Sequence, residues 1–432
     1  MKFKNIFTEY DESLEKTLEI DPMGLSVIWT HFGQEIFHNK ISSVALDVRS
    51  FNINLFNHFI IKNLMQNSSN TLQNQFEKNP KTTIEKLLII LENMLIWSWY
   101  KDSKDGNEWG DFKNGLLGTS KALSKWEKGE INLDVTEKIP ELELLKRQKT
   151  LGVNGRYKGS FINMGFFTAN YDNDTYFPKE LFDDVKIIVE ENEDFNALYK
   201  SLLEFFSHET LEANLIDTNL FTAVFKENQE IVKSTKRFWL KKLGFTKKEE
   251  ENNEAKNIYD SIDIDSIYSW DEVKNIFYIA NQKQSSSKLQ IISQIEPKLS
   301  YLDSVLNYLI FLDTQEIKKV KKLKYFHKLK SLHFEDEEDS ITKECGAKKR
   351  LSALNKVDSI EELINYHTTI MQDRGHQPWI KIDDEGIIRT TIKKVSGKEE
   401  LEERLDQELS EISWIHDYYI SSVLNIKKGL SQ

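Results

Sequence analysis

Ile84-Glu-Lys-Leu-Leu-Ile-Ile-Leu-Glu-Asn-Met-Leu-Ile-Trp-Ser-Trp-Tyr100 reads as one strongly apolar helix, and what surrounds it sets the fold class. On its N-terminal side, Asn67–Asn79 is rich in Asn, Ser and Gln and reads as a polar connection. Before that, Ser50 or Asn52 opens a helix with Phe51, Leu55, Phe59 and Leu64 roughly on one face. Earlier still, Asp21-Pro22 is an N-cap followed by Pro at the first helical position, opening a helix through Met23–Phe32 that Gly33 ends.

On the C-terminal side the composition changes. Nine of the 17 glycines lie between Gly106 and Gly165, so this part is expected to be loop-rich, with a short strand at Gly159–Phe167. Helix returns from Phe177 to Phe245: Asn196–Leu215 is amphipathic, and Ser234–Leu243 ends at Gly244. The charged run Lys247–Lys256 is the linker candidate. Ser269, with Asp271 and Glu272, caps a helix through Asn281; Pro297 starts one through Leu312, and Thr314 caps another through Leu332. Ser359 opens Ile360–Gln372, which Gly375 closes. Trp379–Ile382, a turn at Asp384–Gly386 and Ile387–Lys393 form a hairpin pattern, and Glu399–Lys427 reads as a final helix.

The expectation is a mainly α, multi-helical protein with a glycine-rich loop region and a small C-terminal β-hairpin. Its domains run 1–175 with the basic glycine segment, 176–246 as a helical middle region, and 257–432 with the hairpin near 379–395. Only 6 Pro and 17 Gly in 432 residues favour long helices, and 39% hydrophobic with 30% charged residues describes a soluble globular chain. Cys345 is the single cysteine, which excludes an intrachain disulfide and suits a reducing cytoplasm. Met1–Glu12 is no signal peptide, and stretches such as Met94–Trp99 fall far short of the ~20 residues that span a bilayer.

A net charge of −12 argues against coating nucleic acid over the whole surface, but local basic faces remain. Between Leu144 and Tyr171 there is no carboxylate, while Lys146, Arg147, Lys149, Arg156 and Lys158 thread through Gly152, Gly155, Gly159 and Gly165. With Glu141–Thr150 helical, Lys146 and Lys149 project near one another, and Gly152 and Gly155 let backbone N–H groups turn toward an anion. Tyr157 either stacks on a base or packs in the core. The nucleic-acid or phosphate candidates are therefore Lys146, Arg147, Lys149, Arg156, Tyr157 and Lys158. A solvated glycine turn or a protein interface would produce the same composition. No Walker or dinucleotide pattern is present, so no cofactor is implied.

A second basic run, Ile317–His333, places Ile317, Val320, Leu323, Phe326, Leu329 and Leu332 at every third position. Its lysines cover the rest of a helix, with Glu335–Asp339 as the expected neutralising partner. His31, His38 and His58 lack metal-pair spacing, and His208 is followed by Glu212 rather than a second histidine, so no metal site is expected. Asp373-Arg-Gly-His-Gln-Pro-Trp379 would expose Arg374 and His376 at a helix end; these are the only catalytic candidates, Arg374 as an anion binder and His376 as a base. A structural corner with Trp379 in the core is the competing reading. Asp383, Asp384 and Glu385 cluster as a Mg²⁺ site would, but they occupy the hairpin turn.

Three stretches resemble uncharacterised helical accessory proteins from bacterial anti-phage defence islands: Asp21–Gln34, Lys146–Gly159 and Arg374–Ile380, together under a tenth of the chain. The resemblance implies a cytoplasmic subunit working beside a motor, nuclease or membrane component. The expectation is thus a non-enzymatic subunit that contacts DNA or a partner protein through the basic glycine segment. The alternatives are an enzyme, such as a nuclease, with a dispersed site near Arg374 and His376, and a purely structural adaptor.

Overall fold

The structure is a computed structural model that describes residues 21–67, 70–106, 118–126, 131–208, 210–226, 229–246, 253–266, 268–394 and 397–431. It is mainly α, and among these residues the one β-sheet is a two-stranded antiparallel hairpin. The chain forms two compact units, one from residues 1–36 and 260–418, the other from 37–259 and 419–432. The first twenty residues and 247–252, which hold most of the linker candidate, lie outside the described residues. Glu254–Ser261, at its far end, is helical.

The larger unit is built around two buried helices, Val48–Asn67 and Pro80–Lys104. Asp47 opens the first, its carboxylate accepting from the Arg49 and Ser50 amides. Asn79 caps the second through its side chain, with Pro80 at the first helical position. Both helices are buried around most of their circumference, which explains why neither shows a clean polar face. Trp239 is fully buried against Phe51, Phe161 and Phe166 and donates from Nε1 to Asn52 Oδ1 at 2.7 Å. The polar stretch expected as a connection is instead helical over Asn70–Lys78, because Leu72 and Phe76 are buried. The expected strand at Gly159–Phe167 is the second half of a helix, Val153–Asn163, followed by a turn at Gly165 with φ 81°. The expected Asn196–Leu215 helix begins earlier, at Glu193 with an Asn192 cap, and stops at Phe205. Gln229–Leu243 ends as expected at Gly244, in the left-handed region at φ 86°.

In the smaller unit the Asp21 carboxylate accepts from the Leu25 and Ser26 amides, and the helix Ser26–Phe37 runs straight through Gly33. Ser269 and Ser359 cap Trp270–Lys283 and Ile360–Asp373 as expected. Pro297 does not start a helix but lies within Ser287–Leu309. The hairpin pairs β1 (Ile380–Ile382) with β2 (Ile388–Thr390), Lys381 opposite Arg389. Its turn is set by Asp383, whose carboxylate accepts from the Glu385 and Ile387 amides and from Arg389 Nε at 2.8 Å. That use of Asp383 is a turn device, and Asp383, Asp384 and Glu385 do not form a metal cluster.

Ile317–His333 is not one α-helix. It forms a short turn, Ile317–Val320, and a 3₁₀-helix, Lys324–Ser331. The strict three-residue spacing of its apolar side chains is the period of a 3₁₀-helix rather than of an α-helix. Three of its lysines are paired within the same unit, Lys319 with Glu316, Lys321 with Glu361 and Lys324 with Asp406, and none of these with Glu335–Asp339 as expected. Glu337 of that acidic run pairs instead with Lys298. The expected final helix is likewise broken into Lys398–Asp406, a 3₁₀ turn at Leu409–Glu411, and Ile420–Ser431 in the other unit.

Candidate functional site

The basic segment is shaped by one carboxylate and one amide side chain. Glu141–Thr150 is not a continuous helix: Ile139–Leu142 and Gln148–Leu151 are separate turns. Between them Arg147 takes a left-handed backbone, φ 64°. That conformation is unfavourable for a residue with a Cβ. The Glu143 carboxylate holds it, accepting from the Arg147 amide at 3.2 Å and the Lys149 amide at 3.1 Å. Gln148, buried, accepts from the Leu144 amide at 2.8 Å and donates to Asn93 Oδ1 at 3.0 Å. The Arg147 and Lys149 amides are thus taken by Glu143, and the Gly152 amide, which was expected to face an anion, donates to Gln148 O.

Gly152 and Gly155 serve close packing, whereas Gly159 and Gly165 have open space around the Cβ position. The Gly152 amide donates to Gln148 O, and a Cβ there would stand 2.5 Å from Glu92 Oε2. Its absence lets Glu92 reach the start of the Val153–Asn163 helix and accept from the Val153 amide at 3.0 Å. At Gly155 a Cβ would stand 2.3 Å from Thr150 O. Gly155→Ala is expected to shift the helix against the Gln148–Leu151 turn and destabilise the protein by about 1–3 kcal/mol. A urea melt with an unchanged midpoint would show that this approach is not tight.

The five cations divide into two groups. Lys146, Arg147 and Arg156 are exposed, and none has an ion-pair partner among the described residues. Lys149 pairs with Glu85 at 2.7 Å. Lys158 is half-buried with its Nζ 4.1 Å from the centre of the Tyr171 ring, and burial lowers its pKa. Tyr157 is in the core: its ring meets Phe51 edge-on and its hydroxyl accepts from the Asp47 amide at 2.9 Å. Stacking on a base is not open to it.

Lys149 and Lys158 face a cleft of about 140 Å³, lined also by Glu85, Glu92, Asn154 and Tyr171. A chain of hydrogen bonds fixes its inner wall. Neutral His58 donates from Nε2 to Asn154 Oδ1 at 3.0 Å and accepts at Nδ1 from the Tyr176 hydroxyl at 2.8 Å. Asn154 Nδ2 in turn donates to the Tyr171 hydroxyl at 3.3 Å. Burial pushes the His58 pKa down to about 3 and the Glu92 carboxyl up to about 7.

Glu85, Glu92, Asn154 and Tyr171 were absent from the sequence-derived candidates. The one available signal was a pair of carboxylates seven residues apart, on one face of an otherwise apolar helix.

The other candidates lie in the smaller unit. Arg374 donates from Nη1 to Asp21 O at 2.7 Å, with its Nη2 3.6 Å from the Asp21 carboxylate. His376 is exposed, and its amide donates to Met371 O. The structural histidine here is His367, which bonds Pro22 O through Nδ1 and accepts from the Trp379 amide at 2.9 Å through Nε2. Trp379 is buried beside it, so the segment is a packed corner. Among the described residues no group of three or more His, Cys, Asp or Glu side chains is placed to hold a metal ion, and no helix is long and apolar enough to cross a membrane. No family model, no curated protein and no solved structure matches the chain.

Proposed function

We propose that this chain is a non-enzymatic, cytoplasmic subunit of a bacterial anti-phage defence or DNA-processing assembly, and that it contacts nucleic-acid phosphates through Lys146, Arg147 and Arg156. The observation that carries the contact is their availability: three exposed cations within eleven residues, none neutralised by a carboxylate of the described chain. In the other basic run Lys319, Lys321 and Lys324 pair with carboxylates and Lys328 with backbone carbonyls, which leaves Lys318, Lys322 and Lys330 exposed. The setting rests on the resemblance of Asp21–Gln34, Lys146–Gly159 and Arg374–Ile380 to defence-island accessory proteins.

Contacts of this kind read backbone charge rather than sequence and weaken with salt. In a gel shift at low salt, the wild-type chain should retard duplex DNA, and a Lys146→Gln/Arg147→Gln/Arg156→Gln variant should not. Equal retardation by both proteins, or none by either, would remove nucleic acid from this segment.

A further inference from the structure

Three of the large apolar side chains left exposed among the described residues are aromatic, and all three belong to one short stretch: Tyr268, Trp270 and Tyr278, at 38%, 43% and 62% exposure. Core packing does not account for them, because the helix Trp270–Lys283 buries a different stripe, Val273, Ile276, Phe277 and Ala280. Trp270 and Tyr278 stand eight residues apart, about 12 Å along the axis and about 80° around it. Tyr268 meets Trp270 edge-on at 6.5 Å, and its hydroxyl donates to Asp417 Oδ2 at 2.8 Å. The charge left open around these rings is negative. Asp271 and Glu411 are exposed, and neither has an ion-pair partner among the described residues. Lys274, the only cation between Trp270 and Tyr278 in sequence, donates to the Ser410 carbonyl at 2.7 Å, which also brings Glu411 to this face. Exposed apolar patches rimmed by charge mark interaction sites, and Trp and Tyr carry much of the energy at protein interfaces. Carboxylates at the rim repel a phosphate backbone, so the charge here favours a cationic occupant.

We propose that this face docks an arginine-bearing segment of a partner protein. A guanidinium stacks flat on a Trp or Tyr ring, pairs its N–H groups with a carboxylate, and is more weakly hydrated than an ammonium. Asp271 and Tyr278, seven residues apart, share one side of the helix, so a ring and a carboxylate are offered together. Two arginines three or four residues apart in an extended segment stand about 10–14 Å from one another, which matches the separation of Trp270 and Tyr278. Complementary charge of this kind speeds encounter and rejects acidic partners. The face belongs to the unit formed by residues 21–36 and 260–418, whereas Lys146, Arg147 and Arg156 belong to the other. It therefore goes beyond the nucleic-acid contact and does not depend on it.

The test is fluorescence anisotropy of the full chain with a fluorescein-labelled peptide, Arg-Gly-Ser repeated four times, at low salt. The wild type should bind it at least tenfold more tightly than the same peptide with citrulline for arginine, which keeps the shape and removes the charge. Trp270→Ala/Tyr278→Ala should weaken binding at least tenfold and leave the urea midpoint unchanged, because both side chains are exposed. Should that midpoint fall, Tyr278→Ala alone, the most exposed of the three, should still weaken binding at least threefold. Asp271→Asn/Glu411→Gln, which keeps the rings, should also weaken it at least threefold. No binding of the arginine peptide by the wild type overturns the proposal without reference to any variant. Equal affinity of the aromatic variant overturns it too, since arginine would then be gathering on the net charge of −12 without this face. Sedimentation equilibrium without peptide reads a second occupant: self-association that Trp270→Ala/Tyr278→Ala abolishes would assign the face to a second copy of the chain and overturn the proposal. Duplex DNA retardation lost by the same variant would assign the rings to nucleic acid and overturn it as well. Arginine-peptide binding in a protein that fails to retard DNA would support this face and refute the nucleic-acid contact alone.

Discussion

Replacing Glu296 with alanine is expected to destabilise the unit formed by residues 21–36 and 260–418 by about 3–5 kcal/mol, because several buried donors lose their acceptor at once. Glu296 is wholly buried inside the helix Ser287–Leu309. Its Oε2 accepts from Trp29 Nε1 at 2.8 Å and from the Tyr418 hydroxyl at 2.7 Å. Its Oε1 accepts from the Ile415 and His416 amides and from Ser300. One side chain therefore ties the Ser26–Phe37 helix, the central helix and the chain around residue 416 into one network. Burial pushes its carboxyl up to about 7, and the bonds from Ile415, Tyr418, Trp29 and Ser300 pull the other way. Truncation leaves several donors in an apolar interior, each worth roughly 1–3 kcal/mol when unmet. Glu296→Gln, which keeps the shape but brings an amide N–H₂ toward donors, should fall between. Urea denaturation decides the matter, and an alanine variant within about 1 kcal/mol of wild type would show that the donors find other acceptors.

The second large effect is a pH dependence carried by His58. Burial depresses its pKa from 6.5 to about 3, with Asn154 opposing and the Lys158 charge reinforcing the shift. The unfolded chain takes up this proton below pH 6.5, whereas the folded chain does not until about pH 3. The stability that His58 contributes is complete above pH 6.5 and is lost as pH falls through that window. Between pH 7 and pH 4.5 the loss amounts to about 2–3 kcal/mol, from two pH units at 1.36 kcal/mol each. Glu92 works in the opposite sense: its carboxyl is raised to about 7, so its contribution diminishes as pH rises from 4.5. The His58 share is isolated by comparing wild type with His58→Gln in urea melts at both pH values. The wild type should lose about 2–3 kcal/mol more than the variant on acidification. Parallel losses would place His58 in contact with water or a counter-charge.

Those two residues also show what could be read from the sequence. Signals confined to a few neighbouring residues were legible: the Ser269 and Ser359 caps, the Gly244 terminus, the hairpin around Asp384–Gly386. Errors arose where tertiary packing overrode the local pattern. Pro297 and Gly33 sit inside helices held by buried neighbours, and Gly159 lies within a helix where the sequence predicts a strand. The every-third-residue pattern at Ile317–Leu332 suits a narrow α-helical stripe and a 3₁₀-helix alike, and the chain takes the second over Lys324–Ser331.

In the site, composition alone revealed the concentration of cations between Lys146 and Lys158. It did not reveal that Glu143 occupies the Arg147 and Lys149 amides, or that Glu85 reaches Lys149 from a helix more than sixty residues earlier. The sorting of five cations into three open and two engaged is a product of that long-range packing, and no spacing rule within the segment contains it.

The claim at the centre of this account is that Lys146, Arg147 and Arg156 stay open to an incoming polyanion. Its most direct test is the salt dependence of duplex DNA binding by the wild type and by the Lys146→Gln/Arg147→Gln/Arg156→Gln variant. Each phosphate contact contributes about 0.9 to the slope of log affinity against log salt. Removing three contacts should flatten the slope by about 2.7. Identical slopes for the two proteins would contradict the account, because the DNA would then be held elsewhere on the molecule.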